Sequence, residues 1–388
     1  MNNRFAFSRF GPTARRKGAF ALCLALCTLG LGLSASARQG TFTTIDAPGA
    51  SQGTYASAIS AAGDITGYYQ DINGVAHGFL RSAHGRITTF DAPGAGTSAY
   101  EGTSASAINL EGAITGSYTD ANDVEHGFLR DRNGAFTTFD VPGALFFSAG
   151  SIDLEGAVTG TYFDTNFVTH GFLRAPDGTI TTIDAPGAGT ASGQGTQTFG
   201  ITDEGTVAGC YGDANSVAYG FLRTRDGALT TFDLPDSAIY YPGCFFDPFL
   251  VGSAPLGGIN LFGEIAGTYF QPLSEEFYPG NYRGFLRARD GSYATFDAVP
   301  SPSSPCCTWT FGIAVNLEGV VAGYDNDYDN INHGFVRARN GTITILDAPG
   351  AGTGSSRGTW ALSINPAGQV AGVYEDASGA VHGFLWTP

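Results

Sequence analysis

The feature that most constrains this chain is a unit of about 50 residues that recurs seven times. A Thr-Phe-Asp-Ala-Pro-Gly motif returns with its aspartate at positions 46, 91, 140, 184, 233, 297 and 347. A His-Gly-Phe-Leu-Arg motif returns with its first glycine at 78, 127, 171, 220, 284, 334 and 383. Between them runs Ala-Ile-Asn-x-x-Gly-x-Ile-x-Gly-x-Tyr, as in Ala107 to Tyr118. A fixed period of this length marks a repeat architecture, in which each unit buries its apolar face only against its neighbours.

Within a unit the apolar runs are four to seven residues long and rich in β-branched and aromatic side chains, which suits strands and not helices. The second unit predicts strands at Ser106–Asn109, Ala113–Tyr118, His126–Arg130 and Ala135–Asp140. Asn109-Leu110-Glu111-Gly112 suits a type I turn. Asn133-Gly134, Asp177-Gly178, Asp226-Gly227, Asp290-Gly291 and Asn340-Gly341 are hairpin dipeptides. Four short antiparallel strands repeated seven times predict an all-β, seven-bladed β-propeller. A β-solenoid is the rival, but its units do not hold three reversals each. The repeat begins on its fourth strand, at residues 41–46, and ends on its third, at 382–386. Pairing these two segments would complete the last blade, close the ring and remove two sheet edges.

Several recurring residues have structural readings. Phe79, Phe128, Phe172, Phe221, Phe285, Phe335 and Phe384 are expected to pack between neighbouring blades. Gly67, Gly116, Gly160, Gly209, Gly267, Gly323 and Gly372 lie inside the second strand, where glycine marks the close approach of another backbone. The aspartate before Ala-Pro-Gly is expected to bond within its own turn. The histidine before Gly-Phe occurs in five units and is replaced by Tyr219 and Arg283 in the others. Histidines spread one per blade do not converge on a metal, so each reads as a local hydrogen-bonding residue.

The first 37 residues read as an export signal: a basic start with Arg4, Arg9, Arg15, Arg16 and Lys17, an apolar run from Ala19 to about Leu33, and Ala35-Ser36-Ala37 at the cleavage position. Residues 38–388 then form a single domain, secreted to a periplasm or beyond the cell, with no membrane span. Loss of the signal removes four arginines and the only lysine but none of the 35 acidic residues, in a chain already at −16. That balance opposes nucleic-acid binding, which needs cationic side chains on phosphates, and excludes lysine chemistry. Four cysteines stay with the domain: Cys210, Cys244, Cys306 and Cys307. In an exported chain they suggest disulfides. Cys210 with Cys244 is the preferred pairing, and Cys244 with Cys306 its rival.

The Ala-Ile-Asn-x-x-Gly-x-Ile-x-Gly segment followed by His77-Gly78-Phe79 or His382-Gly383-Phe384 resembles the extracellular HAF repeat family of bacteria. Glycine stands where that family more often has alanine. The resemblance covers nearly all of residues 41–388 and implies an exported repeat protein. It brings no activity and no functional residues.

Strand order puts the first-to-second and third-to-fourth turns on one face, and the second-to-third loops and blade connections on the other. The second face carries the length variation and is the candidate working face. Its unusual loops hold Tyr240, Tyr241, Phe245, Phe246 and Phe249, then Glu275, Glu276, Phe277, Tyr278 and Tyr282. Loop aromatics of this kind stack on sugar rings or anchor a protein, or else pack on one another. Asp325, Asp327 and Asp329 alternate as calcium-loop carboxylates do, but lack the glycine and the final acid of an EF-hand; a solvated loop is the alternative, and no other cofactor is expected. The leading functional reading is a binding or scaffold module for a glycan or extracellular protein, without catalysis. A polysaccharide-active hydrolase or lyase is the runner-up, with Asp236, Asp247, Glu275 and Glu276 as its only off-pattern acids. A structural surface protein with no specific ligand is the third.

Overall fold

In the computed structural model the repeat is realised strand for strand. The structure describes residues 40–235, 257–272, 280–299 and 309–388. Among these residues there are strands and turns but no helix. After β1 (Thr41–Ile45), the strands fall into successive groups of four. They run from β2 (Gly53–Ile59) to β5 (Ile87–Phe90), β6 (Gly102–Ile108) to β9 (Phe136–Phe139), and β10 (Phe146–Ile152) to β13 (Ile180–Ile183). Next come β14 (Gly195–Ile201) to β17 (Leu229–Asp233), β18 (Gly257–Ile259) to β21 (Tyr293–Phe296), and β22 (Trp309–Val315) to β25 (Ile343–Leu346). The final group runs from β26 (Gly358–Ile364) to β28 (Val381–Thr387) and has only three strands of its own. The fourth is β1, which pairs antiparallel with β28 from Thr41 opposite Thr387 to Ile45 opposite Gly383. The pairing expected between the two ends of the repeat array is present.

Each group is an antiparallel meander, and single parallel bridges link some neighbours, such as Ala76 with Gly102 and Asn332 with Gly358. These bridges make the hydrogen-bonded sheets mixed, with 12, 8 and 8 strands. The architecture is propeller-like, built from repeated blades.

The first strand begins earlier than the sequence suggested, at Gly102 and not Ser106 in the second blade. It carries a bulge between Ala105 and Ala107. The bulge explains the glycine of the second strand. A Cβ on Gly116 would lie 2.1 Å from the Ser104 carbonyl oxygen, so the two backbones approach too closely for any side chain.

The recurring phenylalanines are fully buried, and each packs with its own blade and the one before it. Phe128 sits with Ile114 and with Ala92, Leu80 and Phe90 of the preceding blade. Phe79, in the first blade, sits with Ile45, Ala371 and Leu385 of the last one. Burying a phenylalanine is worth about 1.5–3 kcal/mol, so these seven side chains are the main cement between blades. Arginines at the ends of the third strands add a second layer. The Arg130 guanidinium lies 4.8 Å from the centre of the Phe90 ring and Arg287 4.2 Å from that of Phe232, a favourable cation–π placement.

A third inter-blade device runs through the asparagine of Ala-Ile-Asn. Its Oδ1 caps its own turn, as Asn316 does by accepting from Val320 N–H. Its amide donates to the next blade: Asn109 to Asp153 O at 2.8 Å, Asn260 to Asn316 O at 2.8 Å, and Asn316 to Asn365 O at 3.2 Å. Asn365 in turn lies 3.4 Å from Ser60 O in the first blade.

Candidate functional site

Hydrogen bonds between turns define the two sides of the molecule. On one, Ala83 N–H donates to Asp64, joining a third-to-fourth turn to a first-to-second turn. On the other, the second-to-third loop meets the blade connections: Gln52 donates to Ile72 O and Tyr100 N–H to Gly74 O. This is the working side expected from strand order.

In the described residues the second-to-third loops there are shaped by an aspartate. Asp71 Oδ1 accepts from Asn73 N–H and Val75 N–H, and Asp120, Asp164 and Asp213 repeat the pattern. Backbone N–H donors favour the charged carboxylate, so Asp71 and Asp164 lie below the ordinary range and Asp120 falls to about 2. These carboxylates are turn formers.

The repeated histidine stands between two aspartates. His77 Nδ1 is bonded to Asp91 at 2.8 Å, and its Nε2 lies 3.9 Å from Asp71. His126, His170, His333 and His382 make the same arrangement with Asp140, Asp184, Asp347 and Asp46. The expectation that the aspartate before Ala-Pro-Gly bonds within its own turn is therefore corrected. Its carboxylate reaches across the β4 (Ala76–Arg81) to β5 pair to the histidine 14 residues earlier, while the turn is held by the following alanine N–H on a buried threonine, as Ala92 on Thr103. A tyrosine stacks on four of the five histidines, Tyr69 on His77 with ring centres 5.1 Å apart and likewise on His126, His170 and His382. Where Arg283 replaces histidine it grips Asp297 through two bonds of 2.8 Å. The histidines are local residues, one per blade, as the sequence suggested.

The sixth blade departs from this plan. Six blades place Tyr69, Tyr118, Tyr162, Tyr211, Tyr269 or Tyr374 at the position where β23 (Val321–Asn326) has Asp325. Asp325 is completely buried, with one carboxylate oxygen on Thr310 and the other without a partner. Burial raises its pKa to about 6. His333 beside it is raised to about 9, chiefly by Asp347 and further by Asp327. The suggested calcium carboxylates do not gather. Asp325 is buried, Asp327 caps Ile331 N–H, and Asp329 points to solvent. Among the described residues no group of three acids, histidines or cysteines is arranged for a metal.

Of the aromatic residues assigned from sequence, Tyr282 is the one described. It packs at 5.3 Å on Phe270, 5.7 Å on Phe311 and 5.9 Å on Trp309, centre to centre. Tyr240, Tyr241, Phe245, Phe246, Phe277 and Tyr278 lie outside the described residues, as do Asp236, Asp247, Glu275 and Glu276. Cys210 is buried in β15 (Val207–Gly212) and is not free; Cys244, Cys306 and Cys307 are outside the described residues.

Two features escaped the sequence reading. A central cavity of about 220 Å³ is lined by the first strands of all the four-strand groups, including Ser57, Ser106, Ser151, Phe199, Ile313 and Ser363. Its serines tie neighbouring strands together, Ser151 accepting from Ile201 N–H and Ser363 from Ile59 N–H. Second, exposed large apolar side chains crowd the working side: Ile72, Tyr100, Val124, Leu145, Phe146, Phe167, Trp309 and Tyr328. The opposite turns expose Leu110, Leu261 and Phe262. Comparing equivalent loop positions across the repeats would have found Tyr100 and Phe167, because other copies hold glycine or a short polar residue there.

No family model and no curated protein matches the chain. Solved structures do match in fold. Virginiamycin B lyase from Staphylococcus aureus aligns with a TM-score of 0.52 at 12% identity, over 90% of this chain and 100% of that one. A prolyl endopeptidase aligns at 0.50 and 11% identity, over 86% of this chain and 46% of that one. The β-propeller domain of the Trilobed protease from Pyrococcus furiosus aligns at 0.40 and 8%, over 73% and 95%. At these identities the likeness to the lyase and the endopeptidase is one of fold alone.

Proposed function

We propose that this chain is an exported, closed seven-bladed β-propeller of the HAF-repeat kind. It acts as a binding or scaffold module for a glycan or extracellular protein held on its loop-rich working side. The β1–β28 pairing, the packing of Phe79 against Leu385 and the cavity shared by the first strands support closure. The basic and apolar segment before residue 38 supports export. A disulfide from Cys210 to Cys244 belongs to the same reading, and non-reducing peptide mapping tests it.

The observation that carries the function is the asymmetry of exposed apolar side chains. Among the described residues eight crowd the working side and three the opposite turns, and the twelfth, Ile345, lies within a fourth strand. Exposed aromatics grouped on one side of a repeat scaffold mark a recognition surface. Near blades five and six this surface includes Trp309, Tyr328 and the edge of Tyr282.

The test is retention on a glycan array and on immobilised extracellular proteins of the source cell. Wild type is compared with a working-side variant, Trp309→Ser with Tyr328→Ser, and an opposite-side variant, Leu110→Ser with Phe262→Ser. Loss of binding in the working-side variant alone is expected. Loss in the opposite-side variant alone, or no binding by wild type to either panel, overturns the proposal.

A further inference from the structure

Among the described residues six that are not glycine have positive φ: Tyr100, Asp123, Phe167, Ser216, Asn330 and Ser356. All lie in working-side loops and connections. Four are short and polar, the kind of side chain that tolerates this backbone by bonding locally. Tyr100 (φ 69°) and Phe167 (φ 60°) are bulky aromatics, for which it is a true outlier.

The repeat shows what these slots require. The connection position of Tyr100 is Gly193 in the third-to-fourth junction and Ser356 in the sixth-to-seventh; the loop position of Phe167 is Gly74 in the first blade, Gly379 in the last, and the short polar Asp123, Ser216 and Asn330 in others. The two slots meet at three junctions among the described residues. Tyr100 N–H donates to Gly74 O, Gly193 N–H to Phe167 O, and Ser356 N–H to Asn330 O. So at the first-to-second and third-to-fourth junctions one aromatic faces one glycine, with the two roles exchanged. The rings are not buried: Tyr100 is 90% and Phe167 53% exposed. A bulky side chain kept in a strained, solvent-facing slot, where sibling repeats use glycine or a short polar residue, does not serve packing. Strain that packing does not explain points to function.

We infer that Tyr100 and Phe167 are stacking platforms for two separate, uncharged sugar rings, one at each junction. This rests on the working side being the binding side, and names the ligand class. A protein partner needs a contiguous core patch, whereas these rings stand at different junctions, where the meeting loops also carry Asn73 and Ser98 or Asn166 and Ser192. A single exposed ring in loops that also hold amide and hydroxyl side chains matches a pyranose, which offers one apolar face and a rim of hydroxyls. Beside Phe167 nothing stands within 4 Å of where a Gly193 side chain would project, which leaves space for a ligand. The excess of 35 acidic over 19 basic residues, with Asp71 and Asp164 in these same loops, disfavours acidic glycans and leaves neutral ones. Two shallow sites on one rigid body favour long or branched polymers through avidity.

The test uses Tyr100→Gly and Phe167→Gly, singly and together, which install the residue that sibling repeats carry. Affinity electrophoresis in gels containing neutral xyloglucan, galactomannan or β-glucan is compared with polygalacturonate and read beside melting temperature. The expected result is retardation by a neutral polymer only, weakened roughly tenfold by each substitution, with melting temperature unchanged or raised because strain is released. Retardation that survives the double variant, or a preference for polygalacturonate, overturns the inference and leaves the working side standing. A lowered melting temperature in Tyr100→Gly also overturns it, because the ring would then serve the fold. If wild type binds no polysaccharide but does hold an extracellular protein, the sugar sites fail and the broader reading survives.

Discussion

Replacing Asp325 with asparagine should make the protein more stable at neutral pH. The carboxyl is fully buried, faces Thr310, His333 and Asp297, and has one oxygen without a partner. Burial lifts its pKa from 3.8 to about 6. A group whose folded pKa is raised binds its proton more tightly in the native state. Its stabilising contribution is then complete below the unfolded value and is lost as pH rises through the folded one. About two pH units at about 1.4 kcal/mol each give a loss of roughly 3 kcal/mol between pH 4 and pH 7. Asparagine has the shape of the protonated acid and never ionises. Urea denaturation of both proteins at half-unit steps from pH 4 to 8 reads the difference, in which titrations common to both cancel. The two should agree near pH 4, and the variant should lead by about 2–3 kcal/mol at pH 7. A gap that does not change with pH, or a variant less stable at pH 7, would refute the assignment of Asp325 as a buried, destabilising carboxylate.

Two further outcomes follow from the same contacts. His333 should hold its proton to about pH 9, read by NMR of its ring. The stability it adds over His333→Gln should be present below about pH 6.5 and disappear as pH rises through 9. Asn316→Asp keeps the acceptor that caps Val320 N–H but loses the donor to Asn365 O; urea denaturation should show a cost of about 1–3 kcal/mol, and no cost would mean that the inter-blade bond contributes nothing.

Much of this fold was legible because the repeat reports each strand seven times. Turn dipeptides located the reversals, and the surplus fourth strand at 41–46 found its partner at 382–386. What sequence missed was chemistry across strands. Asp91 and His77 are 14 residues apart, and only the β4–β5 register shows that they meet. Gly102 to Ala105 escaped assignment to the first strand because it is built of small residues with little apolar signal. Tyr100 stands out only when the copies are aligned position by position, against Gly193 and Ser356. In the candidate site, attention went to the longest and most aromatic loops, whereas the informative departures in the described residues are single substitutions in loops of ordinary length.

The partnership of β1 with β28 also dictates an order of events. Residues 41–45 leave the ribosome well before residues 381–387, yet they have no strand to pair with until those arrive. The oldest segment of the domain is thus the last to lock, and contacts spanning more than 330 residues make that step slow by loop-closure entropy alone. Until then Ile45 and the edge of β28 stay open to proteases and to stray strands.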